Sequence, residues 1–206
     1  MSTSARVFTN LFVTLALVCD LFVVWSAIAG GLYAARVRTP FVATADVLGR
    51  WCRPLATAVA ATCMAGSLYY SEVVGFVPCQ LCWYQRFVMY PLVFVLALGL
   101  WSRLRRVTWW IAIVMAVAGA GISLYHWLVE RVPALAETSA CSLTTPCSVP
   151  WFTRLGFITI AWMALSGFLA VVALLAAEAW NVRSGARNNT EPSTRLQASA
   201  DEGTNA

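Results

Sequence analysis

The chain alternates between long apolar runs and short polar segments. The apolar runs cover residues 10–34, 55–76, about 83–101, 108–129 and about 155–179. Each is close to the ~20 residues with which an α-helix crosses ~30 Å of hydrocarbon. The pattern predicts five transmembrane helices in an all-α membrane protein.

The first run also fits a signal peptide. The apolar part of a signal peptide is typically ~7–15 residues long, whereas this run spans residues 10–34 and is interrupted by Asp20. We therefore predict a transmembrane helix. An acidic side chain at the centre of such a helix costs up to ~3 kcal/mol, so Asp20 is expected to face a neighbouring helix.

Composition and charge support this class. Of the 206 residues, 60% are hydrophobic and 11% are charged, and the mean hydropathy is +0.72, which excludes a soluble domain. The net charge is +5, but every basic residue is an arginine, and the arginines cluster between the apolar runs. That arrangement indicates membrane topology and argues against a nucleic-acid partner.

The arginines also predict the orientation of the helices. Ten of the fourteen lie in residues 35–54, 102–107 and 181–206, and arginine accumulates on the cytoplasmic side of membrane proteins. We predict an extracytoplasmic N-terminus at 1–9, a cytoplasmic connection at 35–54 and a disordered cytoplasmic tail at 181–206, because the Ser-, Asn- and Thr-rich tail cannot bury a core.

Two pairs of cysteines then fall on the extracytoplasmic side, where disulfides persist. Cys79 and Cys82 precede the third run, and Cys141 and Cys147 lie in the loop between the fourth and fifth runs. Since the orientation rests on arginine alone, this placement independently indicates redox chemistry. The remaining cysteines are predicted to be small packing residues or a reduced cytoplasmic thiol: Cys19, Cys63 and Cys52.

Residues 78–86, Pro-Cys-Gln-Leu-Cys-Trp-Tyr-Gln-Arg, carry the strongest candidate chemistry. A Cys-x-x-Cys spacing, a helix N-terminus and a nearby cation each lower the pKa of a thiol. If the helix begins near Cys82, Arg86 lies one turn further on the same face, and both favour a Cys82 thiolate. An interfacial anchor is the alternative role for Arg86.

Other cysteine sites were weighed against redox chemistry. A zinc half-site is the usual alternative, and Cys141 and Cys147 would complete a four-thiolate site. Haem attachment is excluded because Trp83, and not histidine, follows Cys82.

The loop at 130–154 is rich in proline, serine and threonine, with one short turn predicted near 134–137. A structural disulfide between Cys141 and Cys147 would contribute only ~2 kcal/mol in the chain-entropy model, because the loop it closes is short. A labile exchange disulfide fits better. His126, the one histidine, belongs either to an aromatic girdle at a helix end or to a cofactor site as a hydrogen-bond donor or proton relay.

Taken together, the motifs resemble the DsbB/BdbC family of membrane disulfide-bond-forming oxidoreductases, in particular its short-loop Gram-positive type. The matching stretches lie within about residues 54–180: Gly66-Ser-Leu-Tyr-Tyr-Ser-Glu72, Pro78-Cys-Gln-Leu-Cys-Trp-Tyr-Gln-Arg86, Met89-Tyr90-Pro91, Leu124-Tyr-His-Trp127, Arg131-Val-Pro133, Cys141 to Cys147, and Gly156-Phe-Ile-Thr-Ile160. Ala161 stands where the family commonly has proline, so the sequence does not predict the helix bend that a proline would give.

The resemblance implies a four-helix bundle at 55–180, with 10–34 as an additional helix, in the cell membrane. It implies a quinone, menaquinone or ubiquinone, beside Cys82, Arg86 and His126. A soluble DsbA-like partner with a thioredoxin fold would attack Cys141 of a Cys141–Cys147 disulfide. Cys147 would then exchange with Cys79, leaving Cys82 as the thiolate that faces the quinone. No metal is implied.

Three other functions were compared with this one. A vitamin-K-epoxide-reductase-like bundle also couples a loop pair to a Cys-x-x-Cys and a quinone, but there the loop pair comes first in the chain. A non-enzymatic membrane protein with a structural four-cysteine metal or disulfide site is the alternative from another class. A transporter is disfavoured because the sequence has no paired broken helices.

Overall fold

The fold is helical throughout the part of the chain that can be described. The computed structural model describes residues 3–34, 51–138, 141 and 146–180. Its elements are α1 (Thr3–Ala34), α2 (Cys52–Leu68), a π-helical turn (Tyr69–Val73), α3 (Gln80–Leu98), a 3-10 turn (Ser102–Leu104), α4 (Arg105–Arg131), α5 (Pro133–Thr138) and α6 (Ile160–Trp180). The predicted tail at 181–206 and most of the predicted connection at 35–54 lie outside the described residues.

The helix lengths suit a bilayer. α1, α3, α4 and α6 are long and apolar enough to cross a membrane, with mean hydropathies of 2.3, 1.5, 1.9 and 2.3. α2 has 17 residues, roughly 26 Å at ~1.5 Å per residue, and the π-helical turn continues its helical run to Val73. The predicted class is therefore confirmed as an all-α membrane protein, a bundle of α2, α3, α4 and α6 with one additional N-terminal helix. The predicted short turn in the loop is confirmed as α5.

Several helices extend beyond the apolar runs that predicted them. α1 begins at Thr3 rather than at residue 10, so most of the predicted N-terminal segment is helical. α3 begins at Gln80 rather than near residue 83, and α4 at Arg105 rather than at 108. The predicted boundaries are wrong here because polar side chains at a helix end can reach the headgroups while their backbone remains helical.

The entry to α6 is a turn rather than the start of the helix. Leu155 and Gly156 have positive φ of 50° and 78°, and a backbone bridge joins Arg154 to Ile158. Thr159 then caps α6, because its Oγ1 accepts the backbone N–H of Trp162 at 3.3 Å. Ala161 therefore lies in the first helical turn, where a proline would also be tolerated without a kink.

The core of the bundle lies where α4 and α6 approach closely. Phe168 is fully buried, and a Cβ added to Gly119 would collide with its ring. Cys63 packs against the same core and against Gly167, as expected of a small packing residue. Cys52 is fully buried in the same core.

A buried ion network fastens one end of the bundle. Arg53 is 3% exposed, and its Nε donates to Glu178 Oε2 at 3.1 Å. Its two other nitrogens donate to Gly99 O, Thr108 Oγ1 and Arg105 O at 2.8 to 3.0 Å. Arg105 Nε reaches Glu178 Oε1 at 2.7 Å. Arg53 was one of the arginines that predicted the cytoplasmic side, and the sequence did not predict its ion pair because the partner carboxylate is distant in sequence.

Candidate redox site

Cys79 and Cys82 lie at the start of α3. Cys79 is the N-cap residue, and its Sγ accepts the backbone N–H of Cys82 at 3.3 Å. The two Sγ atoms are 2.9 Å apart, and both cysteines are free thiols. The chain turns into this site at Gly75, whose φ of 79° suits glycine. The first sulfur of the pair therefore lies at the positive end of the helix dipole.

His126 of α4 packs against this pair. Its Nε2 is 3.6 Å from Cys79 Sγ, and the residue is 4% exposed. Its Nδ1 is 3.3 Å from Nε2 of Gln85, which also donates to Ser123 Oγ at 3.2 Å. An amide nitrogen donates and does not accept. With the amide in this orientation Nδ1 is the acceptor, and the proton of the neutral imidazole is on Nε2, where it can be donated to a Cys79 thiolate.

Glu130 lies close to the His126 imidazole and also contacts the N-cap residue of α6. Its side chain is 5% exposed, and Oε1 lies 3.9 Å from His126 Nε2. Its Oε2 accepts the hydroxyl of Thr159 at 2.6 Å, which links the site to the N-cap of α6. Sequence analysis did not single out Gln85, Ser123 or Glu130. Only the four-residue spacing between His126 and Glu130 on one helix was available as a signal.

The contacts around Cys79 change its acidity. The pKa of the Cys79 thiol is lowered, first by the hydrogen bond from Cys82 and then by the hydrogen bond and charge of His126, although burial acts in the opposite direction. These contacts favour a thiolate on Cys79 in the reduced pair. The sequence favoured a Cys82 thiolate on the assumption that the helix begins near Cys82, whereas α3 begins at Gln80 and the Cys82 N–H caps Cys79. Arg86 meanwhile donates to Ser67 O at 2.9 Å.

The loop pair lies beside the helix pair. Cys141 and Cys147 are bonded to each other, with a Cα–Cα distance of 5.9 Å. Cys147 is 2% exposed, whereas Cys141 is partly exposed. One buried cluster contains Cys79, Leu81, Val129 and Cys147, with Cys82, Leu135 and Cys141 packed against it. The structure thus brings together, at one end of the bundle, all four cysteines that the sequence predicts to be catalytic.

A cavity of about 280 Å³ opens beside Cys82. Cys82, Arg86 and Tyr90 all line it, four residues apart along one face of α3. The Tyr90 hydroxyl is buried and has no hydrogen-bond partner among the described residues. His126 is not part of the lining. The predicted cofactor-binding set is therefore divided, with Cys82 and Arg86 on the cavity and His126 against Cys79.

The same residues include a potential set of metal ligands. The donor atoms of Cys79, Cys82 and His126 lie within 4.8 Å of one another. The predicted alternative of a four-thiolate site is not formed here, because Cys141 and Cys147 are joined in a disulfide.

Comparison with known proteins identifies the family. The family model described as "Disulfide bond formation protein DsbB" matches residues 49–177, which include both cysteine pairs and the cavity residues of α3. The chain belongs to the DsbB family. It is therefore a membrane disulfide oxidoreductase, and the resemblance drawn from its motifs is confirmed.

Curated relatives of this DsbB-family chain come from bacilli. "Disulfide bond formation protein C" of Bacillus subtilis is 42% identical over 114 residues, 55% of this chain and 82% of the relative. "Probable disulfide formation protein C 1" of Bacillus anthracis is 40% identical over 106 residues, 52% and 76% of the two chains. "Probable disulfide formation protein" of Oceanobacillus iheyensis is 42% identical over 113 residues, 54% and 77%. No solved structure matches significantly.

Proposed function

We propose that this protein reoxidises a DsbA-like thiol oxidase with a thioredoxin fold outside the cytoplasm and passes the electrons to a membrane quinone. The observation that carries the proposal is the arrangement of the four cysteines. Cys147 and Cys79 share one buried cluster, while Cys141 is the more exposed sulfur of the loop pair and Cys82 lines the cavity. The order from exposed loop to cavity is thus Cys141, Cys147, Cys79 and Cys82.

The orientation of the protein in the membrane is inferred from the positions of its arginines. The cysteines lie at one end of the bundle, and the network of Arg53, Arg105 and Glu178 lies at the other. The second end adjoins the predicted cytoplasmic arginines, which supports an extracytoplasmic redox end in the cell membrane. In this proposal residues 55–180 form the oxidoreductase core, 35–54 and 181–206 are cytoplasmic, and 1–9 are extracytoplasmic.

The first exchange takes place at the loop. A thiolate of the reduced partner attacks Cys141 Sγ, the Cys141–Cys147 bond breaks, and Cys147 leaves as a thiolate. Cys147 then attacks Cys79 of a Cys79–Cys82 disulfide and releases Cys82 as a thiolate. The second partner thiol resolves the mixed disulfide and is oxidised, releasing Cys141.

The second exchange restores the loop. Cys141 attacks Cys147 in the Cys147–Cys79 disulfide, so the loop disulfide forms again and Cys79 is released. Two electrons are now on Cys79 and Cys82. This is the redox state of the structure, with a loop disulfide and a reduced helix pair. The lowered pKa of Cys79 favours its release in this step, because a more acidic thiol is a better leaving group.

The cavity beside Cys82 fits a quinone head. The cavity is largely apolar, and its polar groups include the Arg86 guanidinium and the buried Tyr90 hydroxyl, which has no partner among the described residues. Both groups can donate hydrogen bonds to the carbonyl oxygens of a quinone. A quinone would supply a sink for two electrons and two protons. The Arg86 guanidinium would stabilise negative charge that develops next to Cys82, and Tyr90 would orient the quinone ring by a hydrogen bond.

The residues around Cys79 can transfer its proton. His126 Nε2 lies 3.6 Å from the sulfur and 3.9 Å from Glu130. Cys79 becomes the thiolate by losing its own proton, and the Cys82 thiol proton leaves when the Cys79–Cys82 bond forms during reoxidation. His126 and Glu130 would provide a route for the Cys79 proton, because the imidazole is within reach of Cys79 and the carboxylate is within reach of the imidazole.

A structural metal protein is the second candidate, favoured by the proximity of Cys79, Cys82 and His126. The decisive experiment assays the purified protein with a reduced thioredoxin-fold substrate and a quinone. The proposal predicts quinone reduction coupled to substrate oxidation, one quinone per substrate disulfide. Stoichiometric bound zinc without thiol exchange would support the metal candidate instead.

Trapping variants test the order of the steps. With the oxidised partner, Cys147→Ser should accumulate a mixed disulfide between Cys141 and the partner, because the Cys141 thiolate attacks the partner disulfide and Cys147 is absent to resolve the product. Cys52→Ser and Cys63→Ser serve as controls and should turn over normally. A Cys63 variant without activity would show that the redox set is different.

A further inference from the structure

The cavity beside Cys82 has a wall that the family match does not include. The match begins at residue 49, whereas α1 contributes Phe12, Leu15, Ala16 and Cys19 to the lining. These apolar side chains complete a cavity that also contains Cys82 and Arg86. The acceptor site of this chain is thus built partly from the additional helix.

α1 makes specific side-chain contacts with the bundle at three positions along its length. Near its start, the Tyr70 hydroxyl donates to Thr9 Oγ1 at 3.3 Å. One turn further, Phe12 packs onto Gly66 so closely that an added Cβ would lie 2.7 Å from the ring. Deeper in the membrane, Trp162 Nε1 donates to Asp20 Oδ2 at 3.0 Å, which confirms that Asp20 faces a neighbouring helix.

The residue pattern of α1 agrees with a one-sided contact. Most buried positions in the first half of this helix are small or polar: Ala5, Thr9, Val13 and Ala16. Its large apolar residues Leu11, Val18 and Leu21 are 51%, 57% and 71% exposed, as expected of side chains that face lipid. Leu15 lies between these classes at 38% exposed and lines the cavity.

We propose that α1 forms the lipid-side wall of the quinone site and sets the affinity for the acceptor. The inference rests on the proposed function. The α1 surface offers only apolar contact, so it would hold the ring face or the first prenyl unit of the quinone, while the polar atoms of Arg86 and Tyr90 hold the carbonyls. The described buried cluster that contains Cys147 and Cys79 includes no residue of α1.

A cavity-filling substitution tests this inference. Leu15→Trp fills the space from the α1 side, and Leu11→Trp adds the same bulk one turn earlier in the helix, at an exposed position outside the cavity lining. We expect Leu15→Trp to raise the KM for quinone at least tenfold, with single-turnover oxidation of the reduced partner unchanged. Leu11→Trp should behave as wild type. If Leu15→Trp does not fold, Cys19→Leu provides a smaller addition to the same wall.

Photolabelling gives a readout that is independent of turnover. A prenylated azidoquinone irradiated with the full-length protein should label the peptide that contains residues 12–19, and Leu15→Trp should reduce that label whereas Leu11→Trp should not. Label on α3 without label on α1, together with equal KM values for both variants, would overturn the inference. The proposed function itself would fail differently, because wild-type protein would then not reduce quinone at all.

Discussion

The imidazole Nε2 of His126 lies 3.6 Å from the Sγ of Cys79, although the two residues are 47 positions apart in sequence. The contact joins the N-cap of α3 to the last turns of α4, and both groups are buried. It is the main side-chain contact from outside the Cys-x-x-Cys that favours a thiolate at Cys79. The redox pair is therefore tuned by tertiary structure as well as by its own spacing.

The acidity of Cys79 leads to the first prediction. Only the thiolate is alkylated, so the alkylation rate rises as the pH passes the folded pKa and then levels off. Since the pKa of Cys79 is lowered, its rate should level off below the ~8.5 of an ordinary thiol. His126→Ala should move the midpoint to higher pH. Peptide-resolved mass spectrometry of iodoacetamide-treated protein measures both profiles.

The matched control for that experiment is Tyr125→Phe. Tyr125 neighbours His126 on α4 but is 41% exposed, so its hydroxyl should not affect the profile of Cys79. An unchanged midpoint in His126→Ala would show that the imidazole does not stabilise the thiolate.

Tyr90 provides the second prediction. Its hydroxyl is buried without a partner in the described structure, so Tyr90→Phe should not lower the thermal stability of the protein. If that hydroxyl binds the acceptor, its loss should weaken quinone binding by about fivefold, corresponding to a net hydrogen bond of ~1 kcal/mol. Tyr84→Phe, at an exposed position of the same helix, is the control. Equal quinone KM values in the two variants would remove Tyr90 from the site.

Arg86 provides the third. Its guanidinium lines the cavity, is held by Ser67 O and lies 5.5 Å from the centre of the Trp83 ring. Arg86→Ala should reduce quinone turnover at least tenfold, because charge that develops beside Cys82 would lose its counterion. Oxidation of the reduced partner in a single turnover should remain close to wild type. If quinone kinetics were unaffected, Arg86 would be only an interfacial anchor.

The fourth prediction concerns Glu178, at the other end of the bundle. Its carboxylate pairs with buried Arg53 and with Arg105, and removal of one partner from a buried ion pair typically costs ~3–5 kcal/mol. Glu178→Gln should therefore lower the unfolding temperature in detergent markedly while leaving the pH profile of Cys79 unchanged. Arg103→Gln, at an exposed position near the same end, should have little effect. Equal unfolding temperatures would mean that the network contributes no net stability.

The parts of this protein that the sequence predicted are those carried by local spacing. Five apolar runs predicted the helices, and Cys79, Cys82 and Arg86 lie within one short stretch whose chemistry follows from helix geometry. Asp20 was expected to face another helix because an isolated carboxylate is costly in hydrocarbon, and Trp162 is the partner.

The remaining features depend on long-range packing. The ion pair of Arg53 and Glu178 joins residues 125 positions apart, and no local pattern indicates which arginine will be buried. The thiolate was assigned to Cys82 because the helix start was placed two to three residues too late. Such a shift moves the capping N–H from one sulfur to the other. A hydrophobic pattern places a helix end only to within a few residues, and here two residues decide which sulfur is capped.

The relay itself is tested most directly by trapping its internal disulfide. In a Cys82→Ser/Cys141→Ser variant, Cys79 and Cys147 are the remaining redox cysteines, and they share one buried cluster. Mild oxidation followed by non-reducing peptide mapping should show a Cys79–Cys147 disulfide in most molecules. The matched control, Cys79→Ser/Cys141→Ser, retains Cys82 instead and should form much less disulfide with Cys147. A correctly folded variant in which Cys79 and Cys147 stay unlinked would contradict the proposed transfer of electrons between the loop and α3.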